Sequence, residues 1–542
     1  MRASGFATWQ ALVLAAVCGG SSGDSGETPC DSGENQAPAT PSLLSPAKWR
    51  FDIAPGDDLV MRSSPFEDAD AGDHHVASEF AIWRLAGGDE QAVRVWSARR
   101  DEPDPLTEVR LSDGSFEVGD QLDERAVYAI QVRYRDTGDC SAWSEWSAPR
   151  EFRTDDGSLY WFGGAIRDVR MTIPPGSWDA IDAEAVPPGC VPFLRSYYPG
   201  DVEIDGESFP GAGIRSKGGC GSARHLDGKA AFKINLAWDD PEVAGCPEER
   251  RSHGLERVTL NNMVQDASFL HEELAYELFH RLGVPSPRAS HARLYVNGEL
   301  WGLYNHVETI DRRMLWRWFD DDRGMLYEGT YWCDLLADNI PPGRMDDDAY
   351  CISLEFHPSD CQTPDPEADP ENFQPLRGLV QALDDMPDGA FYPEIEQIVQ
   401  FDAFLSMWAA EDILNHWDGY VGEINNNYRV YHDPSSGRWA VLPGGVDQTF
   451  GDRAVVVTGR LARRCLQEDD CRAAYQARLA EAIDEFERAD LAGMAAAIRD
   501  RIADDVRDDP RKEVSVDAFR SAVGTTIDFI EARPAQVRSA LP

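Results

Sequence analysis

Lysine is nearly missing from this 542-residue chain: only Lys48, Lys217, Lys229, Lys233 and Lys512 occur, and arginine carries the rest of the positive charge. Positive charge of any kind is scarce, with 51 basic against 96 acidic residues and a formal net charge of −45. Such a surface repels phosphate backbones and anionic lipid, which excludes nucleic acid as a partner and leaves a membrane reachable only through an anchor. Past the N-terminus no segment approaches the roughly 18 consecutive apolar residues of a spanning helix. Cys-x-x-Cys pairs and EF-hand ligand spacing are also absent, so the cysteines do not read as a zinc site, and the Asp346-Asp347-Asp348 run makes only a weak case for calcium-dependent adhesion. Against this scarcity, three of the five lysines crowd between Lys217 and Lys233.

The N-terminus has Arg2, an apolar run Ala11-Leu12-Val13-Leu14-Ala15-Ala16-Val17, then Cys18 and a Gly/Ser-rich stretch. That is a signal-peptide layout over residues 1–18. Cys18 is a candidate lipidation site, although Val17 stands where a lipobox has a small residue, so a secreted protein and a cell-surface lipoprotein both remain open. Setting Cys18 aside leaves ten of the 11 cysteines, an even set suited to disulfides outside the cytoplasm. Cys465 and Cys471 are close enough to staple a local loop.

Residues 19–40, rich in Gly, Ser, Asp, Pro and Glu, read as a flexible linker. From 41 to 155, short alternating segments such as Val127-Tyr128-Ala129-Ile130-Gln131-Val132-Arg133-Tyr134 are separated by Gly/Asp/Pro turns, the pattern of an all-β sandwich. It closes on Trp143-Ser144-Glu145-Trp146-Ser147, a sequence that resembles fibronectin type III domains. Arg133 and Arg135 are candidates to stack on Trp143 and Trp146; plain core packing of these aromatics is the competing reading. From 160 onward the pattern is α+β. Residues 201–238 read as strands around a Gly/Cys-rich turn, and 267–283 as a helix stopped by Gly283 and Pro285. Asn297-Gly298 between two apolar runs predicts a hairpin. Residues 334–372 look like an acidic, cysteine-bearing insertion, and 397–416, 470–506 and 513–540 read as helices.

Three stretches contain what phosphoryl transfer needs: cations for phosphates, a carboxylate for the accepting hydroxyl, and oxygen ligands for a metal ion. The first runs Gly213-Ile214-Arg215-Ser216-Lys217-Gly218-Gly219 and then Gly228-Lys229-Ala230-Ala231-Phe232-Lys233. Its glycines permit close approach of a ligand and its lysines offer point charges, though a solvated β-turn has the same composition. The second is Asn415-His416-Trp417-Asp418-Gly419-Tyr420 followed by Asn425-Asn426-Asn427-Tyr428, where Asp418 can accept a proton and an asparagine can ligate a cation. Helix termination and turn chemistry select the same residues. The third, Trp439 to Gly451, places Asp447 just after an apolar strand.

Residues 415–451, with Asn-x-Trp-Asp, an Asn-rich turn into a Tyr-rich strand, Asp433-Pro434-x-x-Gly437-Arg438-Trp439 and Pro443-x-x-x-Asp447-x-x-Phe450-Gly451, resemble the CotH (spore-coat protein H) family of atypical secreted kinases. Leu260-Asn261, Asp266, Leu274-Ala275-Tyr276-Glu277-Leu278-Phe279, Gly283-Val284-Pro285 and Val307-Glu308-Thr309-Ile310-Asp311 extend the resemblance upstream. It implies an atypical protein-kinase-like domain over 160–542, ATP with Mg²⁺ or Mn²⁺ as cofactor, and protein Ser, Thr or Tyr hydroxyls as acceptors. By the same resemblance Asp418 is the catalytic aspartate, Asn427 and Asp447 the metal ligands, and Lys229, then Lys233, the phosphate-side lysine paired by Glu272 or Glu273. Arg215 and Glu308 join the nucleotide-binding candidates. The sequence departs from the family at Gly445, where a second aspartate is frequent, and in the nine residues from Asp418 to Asn427. The alternative expectation is a non-catalytic surface or coat scaffold, or an adhesion protein, that binds a protein partner through both modules.

Overall fold

The computed structural model describes all residues except 1–35, 47–52, 71, 86–91, 138–142, 188, 190–192, 194, 239–249, 341–350, 357–369, 388 and 541–542. Cys18 and most of the acidic insertion lie outside the described residues. The chain divides into two compact units, up to Leu159 and from Tyr160 on. Among the described residues no helix is long and apolar enough to cross a membrane.

Among its described residues the first unit is built of β-strands, with one 3-10 turn at Leu111–Asp113. Strands β1 (Leu43–Ser45), β2 (Val60–Ser63) and β5 (Glu108–Arg110) form one antiparallel sheet; β3 (Ala77–Leu85), β4 (Val93–Asp101), β6 (Ser115–Phe116), β7 (Val127–Arg135) and β8 (Arg150–Arg153) form another in the order β6-β4-β3-β7-β8. Alternation decides which side chains face inward: Phe80, Ile82, Trp96, Ile130 and Val132 of the larger sheet share one core with Leu43, Met61 and Val109 of the smaller. On the outer face the Arg133 guanidinium lies 4.6 Å from the Trp143 ring centre and 4.7 Å from Trp146. Glu79 fixes it there with a 2.8 Å bond from Arg133 Nε. Arg135 stands farther off, 6.0 Å from Trp143.

The second unit begins with a closed seven-stranded barrel, which the sequence reading did not anticipate. Its strands are β9 (Arg167–Thr172), β10 (Tyr198–Ile204), β11 (Glu207–Lys217), β12 (Ala231–Asn235), β13 (Arg257–Asn261), β14 (Ala289–Val296) and β15 (Glu299–Val307), in the order β10-β11-β12-β13-β15-β14-β9. Parallel pairing of β14 with β9, Leu294 opposite Val169, completes the circle. Asn297 and Gly298 both have positive φ, 51° and 87°, as the tight turn between β14 and β15 requires. Helix α1 (His271–Arg281) packs outside the barrel and stops before Gly283.

Beyond the barrel lies a sheet of β16 (Leu326–Gly329), β17 (Ile352–Phe356), β18 (Tyr428–His432) and β19 (Trp439–Pro443), with helices α2 (Gln374–Asp385), α3 (Phe401–Leu414), α4 (Asp469–Arg488), α5 (Leu491–Asp508) and α6 (Val516–Ala540). Helix α3 is apolar almost all round and buried through its length. Two expectations change here. The acidic insertion contributes strand β17 to the sheet, tied down by the Cys333–Cys351 disulfide. The single helix expected over 470–506 is two, because Asp490 takes a left-handed conformation (φ 49°) and caps α5 by accepting the Gly493 N–H at 3.2 Å. Cys465 and Cys471 are disulfide-bonded as expected from their spacing.

Candidate active site

The barrel wall sorts its residues by alternation. Ile214, Phe232, Ile234, Val258 and Leu260 fill the interior, and the intervening Arg215, Lys217, Lys233 and Asn261 sit on the other face. Lys217, the last residue of β11, is only half-buried by its own surface, and its ammonium bonds Asn261 Oδ1. The Asn261 amide in turn donates to Glu272 Oε1 on α1. Lysine, asparagine and glutamate thus form one chain of contacts from the barrel wall to the helix. Burial pushes Lys217 down, against the pull of Glu272. It pushes Glu272 up, reinforced by Asp447 and opposed by Lys217. Glu273 faces elsewhere: its carboxylate is 2.6 Å from His291 Nδ1 and 2.5 Å from Arg501 on α5. The structure therefore separates two glutamates that the sequence left equivalent.

After Lys217 the chain turns through Gly218 and Gly219. A Cβ on Gly219 would lie 2.6 Å from the Tyr331 hydroxyl, so glycine lets this turn settle onto Tyr331 without displacing that ring. Burial and then the Asp418 carboxylate raise the Tyr331 phenol.

Opposite this wall, α3 ends at Asn415 in a left-handed conformation (φ 53°), and the chain enters the loop carrying Asp418. Asn426 donates to Asp418 Oδ1 at 3.1 Å and Gln448 to Oδ2 at 3.2 Å. Burial nevertheless raises the Asp418 carboxyl, with the Asn426 bond as the main opposing influence. His416, wholly buried, sits 3.4 Å from Glu411 and 3.3 Å from the Gly445 carbonyl. Burial alone would lower it, but Glu411 holds it above its ordinary value. The three asparagines divide their work. Asn425 ties the loop to the carbonyls of Tyr420 and Gly422 at 2.8 and 3.2 Å. Asn426 orients Asp418, and Asn427 donates to the Asp418 carbonyl at 3.0 Å.

Asp447 follows β19 in a short turn, Val446–Gln448, whose main chain is fixed by His271 Nδ1 donating to the Asp447 carbonyl at 2.8 Å. Its carboxyl is pushed up to about 6, first by burial and then by Asp418 and Asp266, with Lys217 opposing. Asp266 is already spent as the cap of α1, accepting from Leu270 and His271 N–H at 2.8 and 2.9 Å. Beyond burial, Asp447 thus raises Glu272 and is itself raised by Asp418, and Lys217 is the cation that opposes both shifts, while His416 and Arg453 act on Asp418. Carboxylates with an amide oxygen nearby are a donor set that suits a hard divalent cation, and Asp447 and Asn427 are the residues that could hold one, with Asp418 beside them. Gly445, in a left-handed conformation (φ 54°), explains the missing second carboxylate: a Cβ there would lie 2.2 Å from Asn427 Oδ1.

Two of the other expected site residues, Lys229 and Glu308, are paired outside this cluster. Lys229 is buried against Asp509 at 2.6 Å, between the Phe269 and Tyr304 rings at 5.0 and 5.3 Å. It precedes β12 and points to the end of α5, so it does not reach the cleft; Lys217, from the same glycine-rich stretch, does. Glu308 is likewise engaged by other groups: its buried carboxylate pairs with Arg288 at 3.1 Å and with Arg317. Arg215 and Lys233 line a cavity of about 210 Å³ beside Lys217.

A lysine–glutamate link on one wall and a loop aspartate with a strand-end aspartate on the other define an atypical kinase-like protein. The model for the family described as CotH kinase protein matches residues 214–537, and the chain belongs to that family. It is similar to the inner spore coat protein H of Bacillus subtilis, 23% identical over 299 residues, covering 52% of this chain and 77% of that one. It is also similar to invasin CotH2 of Rhizopus delemar, 25% identical over 241 residues and 42% of this chain; the match spans 36% of that protein's length. Among solved structures, the Helicobacter pylori proinflammatory kinase CtkA aligns over 60% of this chain and 95% of its own, with 12% identity and a TM-score of 0.24, too loose for the fold comparison to carry an argument.

Proposed function

We propose that the chain is an exported protein kinase that transfers the γ-phosphoryl group of ATP, bound with Mg²⁺ or Mn²⁺, to Ser, Thr or Tyr hydroxyls of a protein partner. The observation that carries this reading is the contact chain Lys217–Asn261–Glu272 beside Asp447, which Lys217 and Asp418 both influence electrostatically, so that residues from four separate parts of the chain act on one another. Lys217 supplies positive charge to the phosphates, and Glu272, through Asn261, fixes where that ammonium sits. Asp447 and Asn427 would hold a divalent cation, with Asp418 beside them; bound there, it would neutralise charge on the phosphates. The acceptor O–H attacks the γ-phosphorus, the bond to the β-bridging oxygen breaks, ADP leaves, and Asp418 takes the proton. Burial favours that last step by making the carboxylate a better base than an exposed aspartate. The signal-peptide layout and the names of the relatives, a spore coat protein and an invasin, support a location outside the cytoplasm. Calorimetry with ATP and Mn²⁺ tests the nucleotide half of the reading. Binding should require the metal and be lost in Asp447→Asn. Binding that is absent, or indifferent to metal, favours instead a non-catalytic surface scaffold, the reading that the missing carboxylate at Gly445 supports.

A further inference from the structure

The last turn of a helix leaves carbonyls that the helix itself cannot pair. In α3, which delivers the chain to Asp418, they find partners elsewhere. Glu411 accepts the His416 N–H at 2.8 Å, and Leu414 accepts the Phe450 N–H at 2.8 Å from the turn that follows Asp447. Asp412 accepts the Asn415 N–H at 3.3 Å. The rest comes from Arg533 of α6, whose Nε donates to the Ile413 carbonyl at 2.8 Å while one terminal nitrogen donates to the Asp412 carbonyl. That same nitrogen donates to Asn415 Oδ1 at 2.5 Å, and the Asn415 amide donates onward to the Gly451 carbonyl at 2.6 Å. One guanidinium thus fixes the end of α3, the left-handed Asn415 and, through it, the far side of the Asp447 turn. A planar fork of donors carrying a full positive charge suits the negative end of a helix.

Arg533 acts with its neighbours on the helix. Thr526, Phe529 and Arg533 stand at positions i, i+3 and i+7 and therefore share one face of α6. Thr526 Oγ1 lies 3.2 Å from Nε2 of His271, the residue whose Nδ1 donates to the Asp447 carbonyl. Phe529 packs edge-on against Phe450, with 5.8 Å between ring centres. The face accordingly grips the main chain that carries Asp447 and the helix end that carries Asp418. Those two turns are also tied to each other, by Phe450 to Leu414, by Asn415 to Gly451, and by His416 Nε2 to the Gly445 carbonyl at 3.3 Å. The contact chain from Lys217 through Asn261 to Glu272 is built without any of these groups.

We propose that Arg533 is a positioning residue: by holding the end of α3 and Asn415, it sets the Asp418 carboxylate in the place relative to Asp447 that transfer requires. The proposal rests on the phosphoryl-transfer reading. Arg533 works through main chain and Asn415, so its loss should slow transfer and spare nucleotide binding. The test is steady-state transfer from γ-labelled ATP with Mn²⁺ to dephosphorylated casein by the full chain, with kcat counted per ATP-binding site from calorimetric stoichiometry. Counting per site removes any loss of folded protein from the rate. In Arg533→Met, kcat per site should fall at least about tenfold, because a small misplacement of a reacting group costs that much, while KM for ATP stays within about threefold. Arg533→Lys keeps the charge at the helix end, and so the fold, but a point-like ammonium does not span the Ile413 carbonyl and Asn415 Oδ1 as the fork does, and it should be slow as well. Arg538→Met, on the same helix, removes bonds to Asp484 and Glu487 at 2.6 and 2.9 Å and should keep the wild-type rate per site. A wild-type rate per site in either Arg533 variant, or an equal slowing in Arg538→Met, overturns the positioning role and leaves the transfer reading standing. A wild type that transfers no label removes that reading and the role with it.

Discussion

Exchanging Lys229 and Lys217 for methionine, one at a time, should separate stability from function. The Lys229 and Asp509 side chains are 1% and 0% exposed and meet at 2.6 Å. Lys229→Met leaves the Asp509 carboxylate buried with the Leu303 and Arg511 main-chain N–H groups, at 3.1 and 2.8 Å, as its remaining donors. Removing one partner of a buried pair costs about 3–5 kcal/mol. For a unit of this length about 1.2 °C of Tm follows each kcal/mol, so Tm should fall by about 4–6 °C. The double variant Lys229→Met/Asp509→Leu should recover most of that loss, because a buried pair replaced by apolar groups is near neutral. Lys217→Met removes a cation that burial already disfavours and leaves a glutamate that burial already protonates in part. Its Tm should move by no more than about 1 kcal/mol equivalent, while binding of ATP with Mn²⁺ is lost. Thermal unfolding and calorimetry on the same preparations decide the matter. If Lys229→Met kept the wild-type Tm and abolished nucleotide binding, the assignment of the phosphate-side lysine would be refuted.

Other outcomes follow from the same contacts. Asp447 has its folded carboxyl at about 6, above the 3.8 of an exposed aspartate, so its ionisation subtracts stability as pH rises through that window and by the full amount above it. Asp447→Asn should therefore raise the metal-free stability at pH 7.5 by about 1–3 kcal/mol, and Mn²⁺ should stabilise the wild type but not the variant in thermal unfolding. Glu308 shows the opposite sign: although burial would raise it, Arg288 and Arg317 bring it to about 2. Its contribution is complete above about pH 4.5 and is lost as pH falls toward 2, so Glu308→Gln should be less stable at neutral pH and show a flatter acid limb in pH-dependent denaturation. Gly445→Asp restores a frequent carboxylate but places a Cβ 2.2 Å from Asn427 Oδ1 at φ 54°. It should cost about 1–3 kcal/mol without strengthening Mn²⁺ binding, as unfolding and metal titration would register.

Local features were legible in the sequence and long-range ones were not. The Asn297-Gly298 hairpin, the helix ahead of Gly283 and the Arg133 stack each depend on residues a few positions apart, or on strand alternation that periodicity exposes. Closure of the barrel depends on β9 meeting β14 more than a hundred residues later, and no periodicity carries that information. The same limit explains the site. Asp418 and Asp447 stand out by their turns, but Lys217 and Lys229 share one glycine-rich stretch, and only the pleat and the position of Asp509 show which of them faces the cleft. Glu272 and Glu273 are adjacent, and a helical step of about 100° sends one to Asn261 and the other to Arg501. Strand β17 was hidden because its segment is read by composition as an acidic loop, whereas Ile352, Ser353, Leu354 and Phe356 pair with β16.

Phosphoryl transfer with Asp418 as base is tested by incubating the purified chain with γ-labelled ATP, Mn²⁺ and dephosphorylated casein. The wild type should place label on protein, and Asp418→Ala should lose at least about a hundredfold of it, the scale on which a positioned base contributes. Equal labelling by the two proteins, or no labelling by a wild type that binds ATP, would contradict it.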